Sequence, residues 1–513
     1  MPLLRKGVLL PAKGVNFAIP STFVEEQQAF AENMRYDKGL MRKRPGKTTV
    51  GAQTPNSDQI MGYGLLQLSS GTKHLVRASK RVIQRLNTST LTWETISIIT
   101  YASGDEDFFA FANVAESNLI VSSNYINVMY KWGGSGNQVI LGGTPPKAKY
   151  LAYLSPYLLA AYTDDGVSVE PWRVAWPDTN APETWSGGNS GEALITDEPS
   201  PIQNIAKLNE FAAVYKKDSL AVGYKVDPPD VFRFETIKTG IGLASPRAWA
   251  DIGGQHIFME HNDFYSWNGI RVESIGAAVR EHVFGRLNTS KINRCFAIHV
   301  QEQNEVWFFI LTASGSWPTE VWKYNYRFGF WYYDTCASIT AGIKWENTSA
   351  IAWNDLTGTW DQQQVTWDGY QTVGQEQTMF GNSLGLSAKL DYTLTNDQGT
   401  AVEARFISKD FTADGYEKAA RWLRLDVWAK GPGKLYLDYS DDFGSNWTNV
   451  PYTSSQDYVD LDGVMKKYEW YFDIWAEHVR FRFRNDESNE PFYIQQFYPY
   501  YLNREDIAAY RSL

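Results

Sequence analysis

Short strand-like segments separated by turn residues recur along most of this chain, and they restrict the folds that it can adopt. Apolar residues alternate with polar ones or form short runs, and helical spacing is almost absent. Repetition on the order of every 40 to 50 residues is what four-stranded propeller blades produce. We therefore predict an all-β fold with a β-propeller-like domain. The units lie at 75–94, 119–132, 150–185, 211–234, 256–275, 306–331 and 352–380.

The pattern changes from residue 401, where the strands become longer and more regular. Residues 422–428 alternate, the chain turns at Gly431-Pro432-Gly433, and residues 434–439 alternate again. Such alternation gives a sheet one buried and one solvated face, which is typical of an antiparallel sandwich. We predict a carboxy-terminal antiparallel β-sandwich. The predicted domains are an amino-terminal segment joining the propeller at 1–50, the propeller at 51–380 and the sandwich at 381–513.

The composition suits bulky cores and protein interfaces. Aromatic residues make up 15% of the chain, with 20 Trp and 30 Tyr, whereas charged residues make up only 21%. The formal net charge is −10, so the surface as a whole is not expected to attract phosphate. Any contact with DNA would be repulsive or local.

Cysteine usage and hydropathy indicate where the chain is made. Two cysteines, Cys295 and Cys336, are too few for a disulfide framework and fit assembly in a reducing cytoplasm, although one bridge stays open. Pro11 and Lys13 interrupt the first apolar run, so no signal peptide is predicted. No segment approaches the roughly 20 apolar residues that cross a bilayer, so we expect no membrane insertion.

Metal, cofactor and nucleotide chemistry are not predicted. The nearest approach to a metal cluster is His256 with Glu260 and His261, but on a strand the two histidines would point to opposite faces. The sequence contains no phosphate-binding loop of the Walker type, no dinucleotide-binding glycine motif after a strand and no nucleophile elbow. We therefore assign no metal, no cofactor and no catalytic residue.

Neighbouring carboxylates offer the only route to hydrolysis of sugars. The pairs are Asp164 with Asp165, Glu260 with Asp263, and Asp460 with Asp462. A glycosidase needs two carboxyl groups at a set separation in space, which the sequence does not show. Each pair lies in a predicted turn, and a solvated turn explains it more simply.

One segment matches the Asp-box pattern at every fixed position. Its fixed residues are Ser440, Asp442, Gly444 and Trp447. The carboxylate can accept backbone N–H groups within the turn, glycine supplies a left-handed conformation, and the indole packs on the next strand. Asp boxes occur in sialidases and other propellers, away from the chemistry. We interpret this copy as a structural hairpin lock in the sandwich.

Two basic segments are candidates for contact with DNA or with a partner. One is the strand at 35–47, and the other carries Arg480, Arg482 and Arg484 on one side of a strand. These arginines could bind phosphate, pair with acidic residues of a neighbouring subunit or face water. We favour interface or solvent, and the DNA contact stays open.

The segment 33–46 carries a resemblance to a known family. It holds two turn signals, Asp37-Lys38-Gly39 and Pro45-Gly46, on either side of a short basic strand ending at Arg44. It resembles the amino-terminal segment of the tail nozzle or hub proteins of short-tailed bacteriophages, where such a strand leads into a β-propeller. Three further segments resemble the same family. They are 173–176 followed by 183–185, the hairpin ending at Ile275-Gly276, and the turn at 440–447, where Phe443 stands in place of a frequent glycine.

The resemblance implies a structural virion protein and no enzyme. It implies a homohexameric ring in the tail that continues the DNA channel below the portal and its adaptor ring, and that carries tail fibres or a plug or needle. Such a ring retains packaged double-stranded DNA and lets it pass during ejection. Two alternatives stay open: a propeller glycosidase or depolymerase acting on host surface polysaccharide, and a receptor-binding tail protein.

Overall fold

The computed structural model describes residues 4–5, 14–18, 30–37, 39–227, 230–347, 375–413 and 419–502. Within them the chain is almost entirely β-structure, as predicted. Its helices are α1 (Arg280–Phe284) and short 3₁₀ segments at Pro55–Ser57, Ala115–Ser117, Thr289–Arg294 and Gln301–Gln303. The first strands are β1 (Leu4–Arg5), β2 (Phe30–Glu32), β3 (Met34–Asp37), β4 (Leu40–Lys43) and β5 (Gly46–Thr49).

Six consecutive four-stranded antiparallel sheets follow, each with its strands in chain order. Blade 1 has β6 (Ile60–Gln67), β7 (Lys73–Ser79), β8 (Ile83–Asn87) and β9 (Thr92–Thr95). Blade 2 has β10 (Ala110–Val114), β11 (Leu119–Ser123), β12 (Tyr130–Trp132) and β13 (Val139–Ile140). Blade 3 has β14 (Lys147–Leu154), β15 (Tyr157–Asp164), β16 (Val169–Trp176) and β17 (Gly191–Leu194). Blade 4 has β18 (Ile202–Leu208), β19 (Phe211–Lys216), β20 (Ser219–Lys225) and β21 (Phe232–Thr239). Blade 5 has β22 (Trp249–Asp251), β23 (His256–Met259), β24 (Phe264–Trp267) and β25 (Val272–Ser274). Blade 6 has β26 (Phe296–Val300), β27 (Glu305–Ile310), β28 (Glu320–Asn325) and β29 (Phe330–Thr335).

A strand from the amino terminus completes the seventh blade. Its first strands are β30 (Ile339–Asn347), β31 (Gln375–Asn382) and β32 (Ser387–Asp391), and β5 pairs antiparallel with β32 as the next strand. Two short strands, β33 (Asn396–Asp397) and β34 (Thr400–Ala401), extend the same sheet beyond β5. The first strand of this blade, β30, packs beside β6 of blade 1, so the described blades close into a ring. Most of the predicted unit at 352–380 lies outside the described residues.

The carboxy-terminal domain is a two-sheet sandwich, as predicted, but four of its strands come from the amino terminus. Its carboxy-terminal strands are β35 (Ala404–Ile407), β36 (Phe411–Thr412), β37 (Ala420–Lys430), β38 (Lys434–Ser440), β39 (Thr448–Asn449), β40 (Tyr458–Asp460), β41 (Lys466–Ala476), β42 (His478–Asn485) and β43 (Tyr493–Leu502). One sheet has the order β3-β4-β43-β37-β41, with β1 beside β43. The other has the order β2-β35-β42-β38-β39, with β36 and β40 at its sides.

The observed division of the chain follows these pairings. In the predicted amino-terminal segment, β1 to β4 belong to the sandwich and only β5 joins the propeller. The predicted start of the sandwich at residue 381 falls inside β31, and the seventh blade continues to β32 and beyond. Alternation within a strand does not reveal its partner, which is why the sequence placed these segments differently.

The two domains share one continuous apolar core. Trp322 and Trp331 of blade 6 lie in the same buried cluster as Phe406, Trp422 and Phe497 of the sandwich. The edge strand β29 of blade 6 contacts β2 and β3, so the sandwich rests on the outer side of that blade. This packing places the segment 33–46 between the two domains.

Candidate functional site

Arg44 lies at the centre of the joint between the domains. The residue is 4% exposed, and its guanidinium makes a two-pronged contact with Asp397, with Nη1–Oδ1 at 2.9 Å and Nη2–Oδ2 at 2.8 Å. Its Nε donates to Asn33 Oδ1 at 2.9 Å, and its Nη2 also donates to the carbonyl of Thr335 at 3.3 Å. One side chain therefore connects the amino-terminal segment, blade 6 and the end of the seventh blade.

Asn33 completes this joint from the opposite side. Its Nδ2 donates to Thr335 Oγ1 at 2.8 Å and to the carbonyl of Glu403 at 2.7 Å, while its Oδ1 accepts the Thr335 amide at 3.0 Å. The residue adopts a left-handed conformation with φ of 56°, which asparagine tolerates better than most side chains. The amide thus fastens the sandwich to the edge strand of blade 6.

Further charges surround Arg44 in this buried region. Lys47 Nζ lies 3.0 Å from Asp397 Oδ2, Asp334 lies 3.6 Å from Arg44 Nε, and Lys323 pairs with Asp334. Burial by itself would raise the pKa of Asp397, but Lys47 and Arg44 outweigh it and hold that pKa well below its usual range. The carboxylate is therefore charged at neutral pH, and the joint is ionic.

The predicted turn at Arg44-Pro45-Gly46 is buried and tightly packed. A Cβ added at Gly46 would lie 2.0 Å from the carbonyl oxygen of Asn396, so no other residue fits there without movement. Lys43, just before the turn, donates to Asn485 Oδ1 and to the Glu487 carbonyl, both at 2.9 Å. The buried cations of this segment are thus committed to protein partners and are not accessible to DNA phosphate.

The Asp-box turn has the hydrogen bonds that its pattern predicts. Ser440 Oγ donates to Asp442 Oδ1 at 2.7 Å, and the Gly444 amide donates to Ser440 Oγ at 2.8 Å. Asn446 contacts Asp442 through both its backbone and its side-chain nitrogen, and these contacts lower the pKa of Asp442 to about 2. Gly444 has φ of +87°, and the Trp447 ring packs under the Arg482 guanidinium at 4.5 Å. The turn joins β38 to β39 and locks them.

The three predicted arginines on β42 form ion pairs within the chain. Arg480 binds Asp410 through Nε–Oδ1 at 2.8 Å and Nη2–Oδ2 at 2.6 Å. Arg482 and Arg484 both donate Nε to Asp438 Oδ2, at 2.8 and 3.0 Å. Arg484 Nη1 also lies 4.0 Å from Asp486 Oδ2, so each of the three arginines has a carboxylate within ion-pair distance. Their contact with DNA or with a partner stays a prediction.

The other two segments that resemble the nozzle family lie at contacts between blades. Glu183 pairs with Lys131 of blade 2 and accepts the Gly142 amide at 2.7 Å, so it links blades 2 and 3. At the end of the β24–β25 hairpin, the Ile275 carbonyl accepts the Trp331 indole N–H of blade 6 at 2.9 Å. Arg173 pairs with Asp165 at 2.9 Å in blade 3.

At least one carboxylate of each pair that the sequence singled out, and one of the histidines, have structural contacts in the described parts of the chain. Asp165 accepts the Val167 and Ser168 amides of its own turn, and Asp263 accepts the Phe264 amide and the Ser274 hydroxyl. Asp462 similarly accepts the Val464 amide. His256 is buried between the Tyr215 hydroxyl and the Lys207 carbonyl. No group of metal-binding side chains occurs among the described residues.

The two cysteines are free thiols. Cys295 is buried and Cys336 is half-buried. Burial raises the pKa of both thiols to about 12, so neither is a thiolate at neutral pH. The bridge that the sequence left open is not formed.

A cavity of about 790 Å³ lies where the seven blades meet, and the sequence analysis did not find it. Its lining includes Lys149 of blade 3, Lys207 of blade 4 and Arg247 at the start of blade 5. Because every blade contributes residues to it, no local sequence pattern could have revealed it. Nine aromatic residues contribute to its wall: Tyr63, Phe108, Phe109, Phe111, Tyr125, Tyr150, Tyr153, Tyr162 and Trp249.

The outer face of the sandwich sheet that contains β37, β41 and β43 presents a second surface that the sequence did not single out. On the edge strand β41, Tyr471 is 64% exposed and Trp475 is 50% exposed. The next strand holds Arg421, which lies 5.9 Å from the Trp475 ring, and Arg424, which lies 4.2 Å from the Tyr500 ring. Arg421 pairs with Asp473, and Arg424 pairs with Asp426. We call this surface of aromatic rings and paired charges the sandwich face.

Comparison with known proteins finds solved structures of low similarity and gives no function. No family model and no curated protein matches the chain. The Pan2 WD40 domain of Neurospora crassa is 7% identical with a TM-score of 0.39, covering 70% of this chain and 97% of that one. BamB of Moraxella catarrhalis is 11% identical with a TM-score of 0.35, covering 71% and 97%. Sqt1 of Saccharomyces cerevisiae is 8% identical with a TM-score of 0.39, covering 71% and 100%.

The sheets described above therefore define the class of this protein as a β-propeller with an attached β-sandwich. At these identities and TM-scores, the three structures give no information about the activity of this protein. Among the described residues, no helix is long and apolar enough to span a membrane.

Proposed function

We propose that this chain is a structural virion protein, a subunit of the tail nozzle or hub ring of a short-tailed bacteriophage. The observation that carries the proposal is the position of the segment 33–46, on which the resemblance to that family rests. Its Arg44 and Asn33 join the propeller to the sandwich. Because this segment joins the two domains, we expect proteins that share the segment to share the two-domain architecture.

The proposed mechanism is mechanical. Rings of six subunits would extend the DNA channel below the portal and adaptor, retain the packaged double-stranded DNA and let it through during ejection. The net charge of −10 favours passage of DNA without adhesion, because like charges repel. Tail fibres and a plug or needle would attach to the same ring. Subunits would assemble in the host cytoplasm and function in the virion tail.

The sandwich face is our candidate for the contact between subunits. Tyrosine, tryptophan and arginine are enriched in protein interfaces, and this face presents Tyr471, Trp475 and Arg421 together. Head-to-tail contacts between unlike surfaces close into rings when their rotation permits. We therefore place one side of the ring contact on this face.

The carboxylates of the central cavity give little support to a catalytic role. Glu106 and Asp107 are the carboxylates that line it. Glu106 is paired with Arg294 at 3.0 Å, and Asp107 accepts the Gly104 amide. Two adjacent residues engaged in this way do not resemble the opposed acid and base of a glycosidase. We therefore propose that the protein is not an enzyme.

The proposal can be tested by measuring the mass of the purified chain, first alone and then with the adaptor and portal proteins of the same virus. Negative-stain imaging of the same samples should show a six-fold ring with a central opening. A chain that stays monomeric with those partners present contradicts the nozzle proposal. In that case, cleavage of host surface polysaccharide by the purified chain becomes the decisive assay for the glycosidase alternative.

A further inference from the structure

Three cations line the central cavity, and they come from three consecutive blades. Lys149 lies on β14, Lys207 on β18, and Arg247 two residues before β22. In the described part of the chain, none of the three has a carboxylate oxygen within ion-pair distance. Three cations without a carboxylate partner in the described chain are unexpected in a protein whose net charge is −10, and their position in one cavity requires an explanation.

Lys149 is held by aromatic rings. Its Nζ lies 3.8 Å from the centre of the Tyr162 ring and 5.2 Å from that of Tyr125. Tyr162 and Tyr125 have φ of 54° and 65°. A left-handed conformation is unfavourable for residues that carry a Cβ atom. Strain of this kind concentrates at ligand-binding sites, where the surrounding structure enforces it.

Arg247 is the second of these cations, and no carboxylate among the described residues forms an ion pair with it. Its guanidinium lies 3.3 Å from the centre of the Phe108 ring, and its Nη1 donates to the Thr340 carbonyl at 2.7 Å. Burial lowers the pKa of Arg247 to about 9, which reflects the cost of holding this charge away from water. A bound anion would offset that cost.

The carboxylates on the cavity wall do not supply this anion. Glu106 is paired with Arg294, and Asp107 caps its own turn through the Gly104 amide. Glu106 influences Arg247 only through the longer-range electrostatic attraction between their charges. The wall thus retains positive charge beside aromatic rings.

The size and lining of the cavity select the ligand. A volume of about 790 Å³ lies within the roughly 300–1,000 Å³ of small-ligand sites. The ring of blades closes it sideways, so a short ligand or a chain end fits better than a polymer lying across it. Tyrosine rings offer an apolar surface and a hydroxyl together, and Gln203 offers an amide with no partner in the described chain. These groups suit a hydroxylated ring.

We infer that the central cavity binds an anionic sugar, namely one or two sugar units that carry a carboxylate or a phosphate. Lys149, Lys207 and Arg247 would contact the anion, and the tyrosines around Lys149 would contact the sugar ring. This inference goes beyond the nozzle proposal and does not depend on ring formation.

Calorimetric titration of the full chain tests the inference with five probes at low and high salt. Digalacturonic acid supplies the carboxylate, glucose 6-phosphate the phosphate, and maltose the sugar without charge. Citrate supplies charge without the sugar ring, and a hexathymidylate tests single-stranded nucleic acid. Binding of digalacturonic acid or glucose 6-phosphate, weakened by salt and stronger than that of the other three probes, supports the inference and identifies the anion.

Variants then assign the binding to the cavity. Lys149→Met keeps the apolar stem and removes the charge, and it should weaken binding by about tenfold to a hundredfold. Tyr162→Gly removes a ring and relieves its left-handed strain, and it should also weaken binding. Lys238→Met, on the exposed outer strand β21, is the matched control. Unchanged binding in both cavity variants, equal binding of citrate, preferred binding of the oligonucleotide, or no binding of either anionic sugar would overturn the inference.

Discussion

Arg44 and Arg421 each form an ion pair with an aspartate, one pair in a buried environment and the other at the surface. Each forms a two-pronged pair with an aspartate, Arg44 with Asp397 and Arg421 with Asp473. The first pair has side chains that are 5% and 19% exposed, and the second has side chains that are 38% and 52% exposed. Removing one partner of a buried pair leaves an uncompensated charge, whereas water solvates the remaining partner at the surface.

This difference gives a prediction for a matched pair of variants. Asp397→Asn should lower the free energy of unfolding by about 3–5 kcal/mol, because it removes the counter-ion of buried Lys47 and the closer of the two carboxylates beside buried Arg44. Asp473→Asn should have a much smaller effect. Denaturation by urea at pH 7 measures both. Equal small losses would mean that Asp334 neutralises Arg44 without Asp397.

The same aspartate predicts how stability depends on acid. The pKa of Asp397 in the folded protein lies below its ordinary value of 3.8, so the unfolded chain takes up the proton first as the pH falls. The stabilisation of the folded protein by the Asp397 carboxylate is therefore complete above about pH 5 and declines below about pH 4. The stability difference between wild type and Asp397→Asn should narrow by about 1 kcal/mol at pH 3. A difference that stays constant from pH 7 to pH 3, measured by urea denaturation, would contradict this assignment.

At the level of elements, β5 decides whether the ring of blades closes. It pairs with β32, so that Gly46 lies opposite Asp391 and Thr49 lies opposite Ala388. The amino-terminal strand thus holds the last blade, and the preceding residues of the same segment enter the sandwich. Closure of the propeller and docking of the sandwich are consequently coupled through the few residues between β4 and β5.

Gly46→Ala tests this coupling. The added methyl group would meet the Asn396 carbonyl at 2.0 Å, so β5 must shift, at an expected cost of about 1–3 kcal/mol. Gly133→Ala is the control, because its nearest neighbour would be a Leu119 methyl at 3.6 Å. Hydrogen exchange should show faster opening of β5 and β32 in the first variant only. Identical exchange in both variants would show that the joint tolerates the shift.

The sequence predicted what is local in this fold. Strand alternation indicated the blades and the sandwich, since neighbouring strands of a blade follow one another in the chain. The Asp-box pattern likewise indicated its turn, because Ser440, Asp442 and Asn446 lie within one short loop.

Pairings between distant segments could not be predicted in the same way. The partner of β5 lies near the end of the propeller, and no spacing within either strand encodes that choice. The partners of Arg480 and Arg482, Asp410 and Asp438, lie on other segments, so the alternation showed charges without showing their neutralisation. The central cavity was missed for the same reason, because the closed ring of blades creates it.

At the scale of the whole molecule, the domains present different surfaces to a partner. The sandwich rests on blade 6 through β2 and β3, which leaves β41 at the opposite edge of its sheet. An edge strand has unpaired backbone groups, and the side chains of Tyr471 and Trp475 on this one are largely exposed. Under the nozzle proposal, a neighbouring subunit of the ring would cover this edge.

The role of the sandwich face in ring assembly can be tested by substitution of its aromatic residues. Under the nozzle proposal, the double variant Tyr471→Ser and Trp475→Ser should fold like the wild type but fail to form the ring, because truncating central aromatic residues removes much of an interface's binding free energy. Ile270→Ser is the control, since Ile270 is 81% exposed on blade 5, away from the sandwich face. Mass measurement with the adaptor and portal proteins present distinguishes the outcomes. If the double variant still forms a ring, the contact between subunits lies on another surface and the nozzle proposal is unaffected. If the wild type forms no ring, the nozzle proposal itself is wrong.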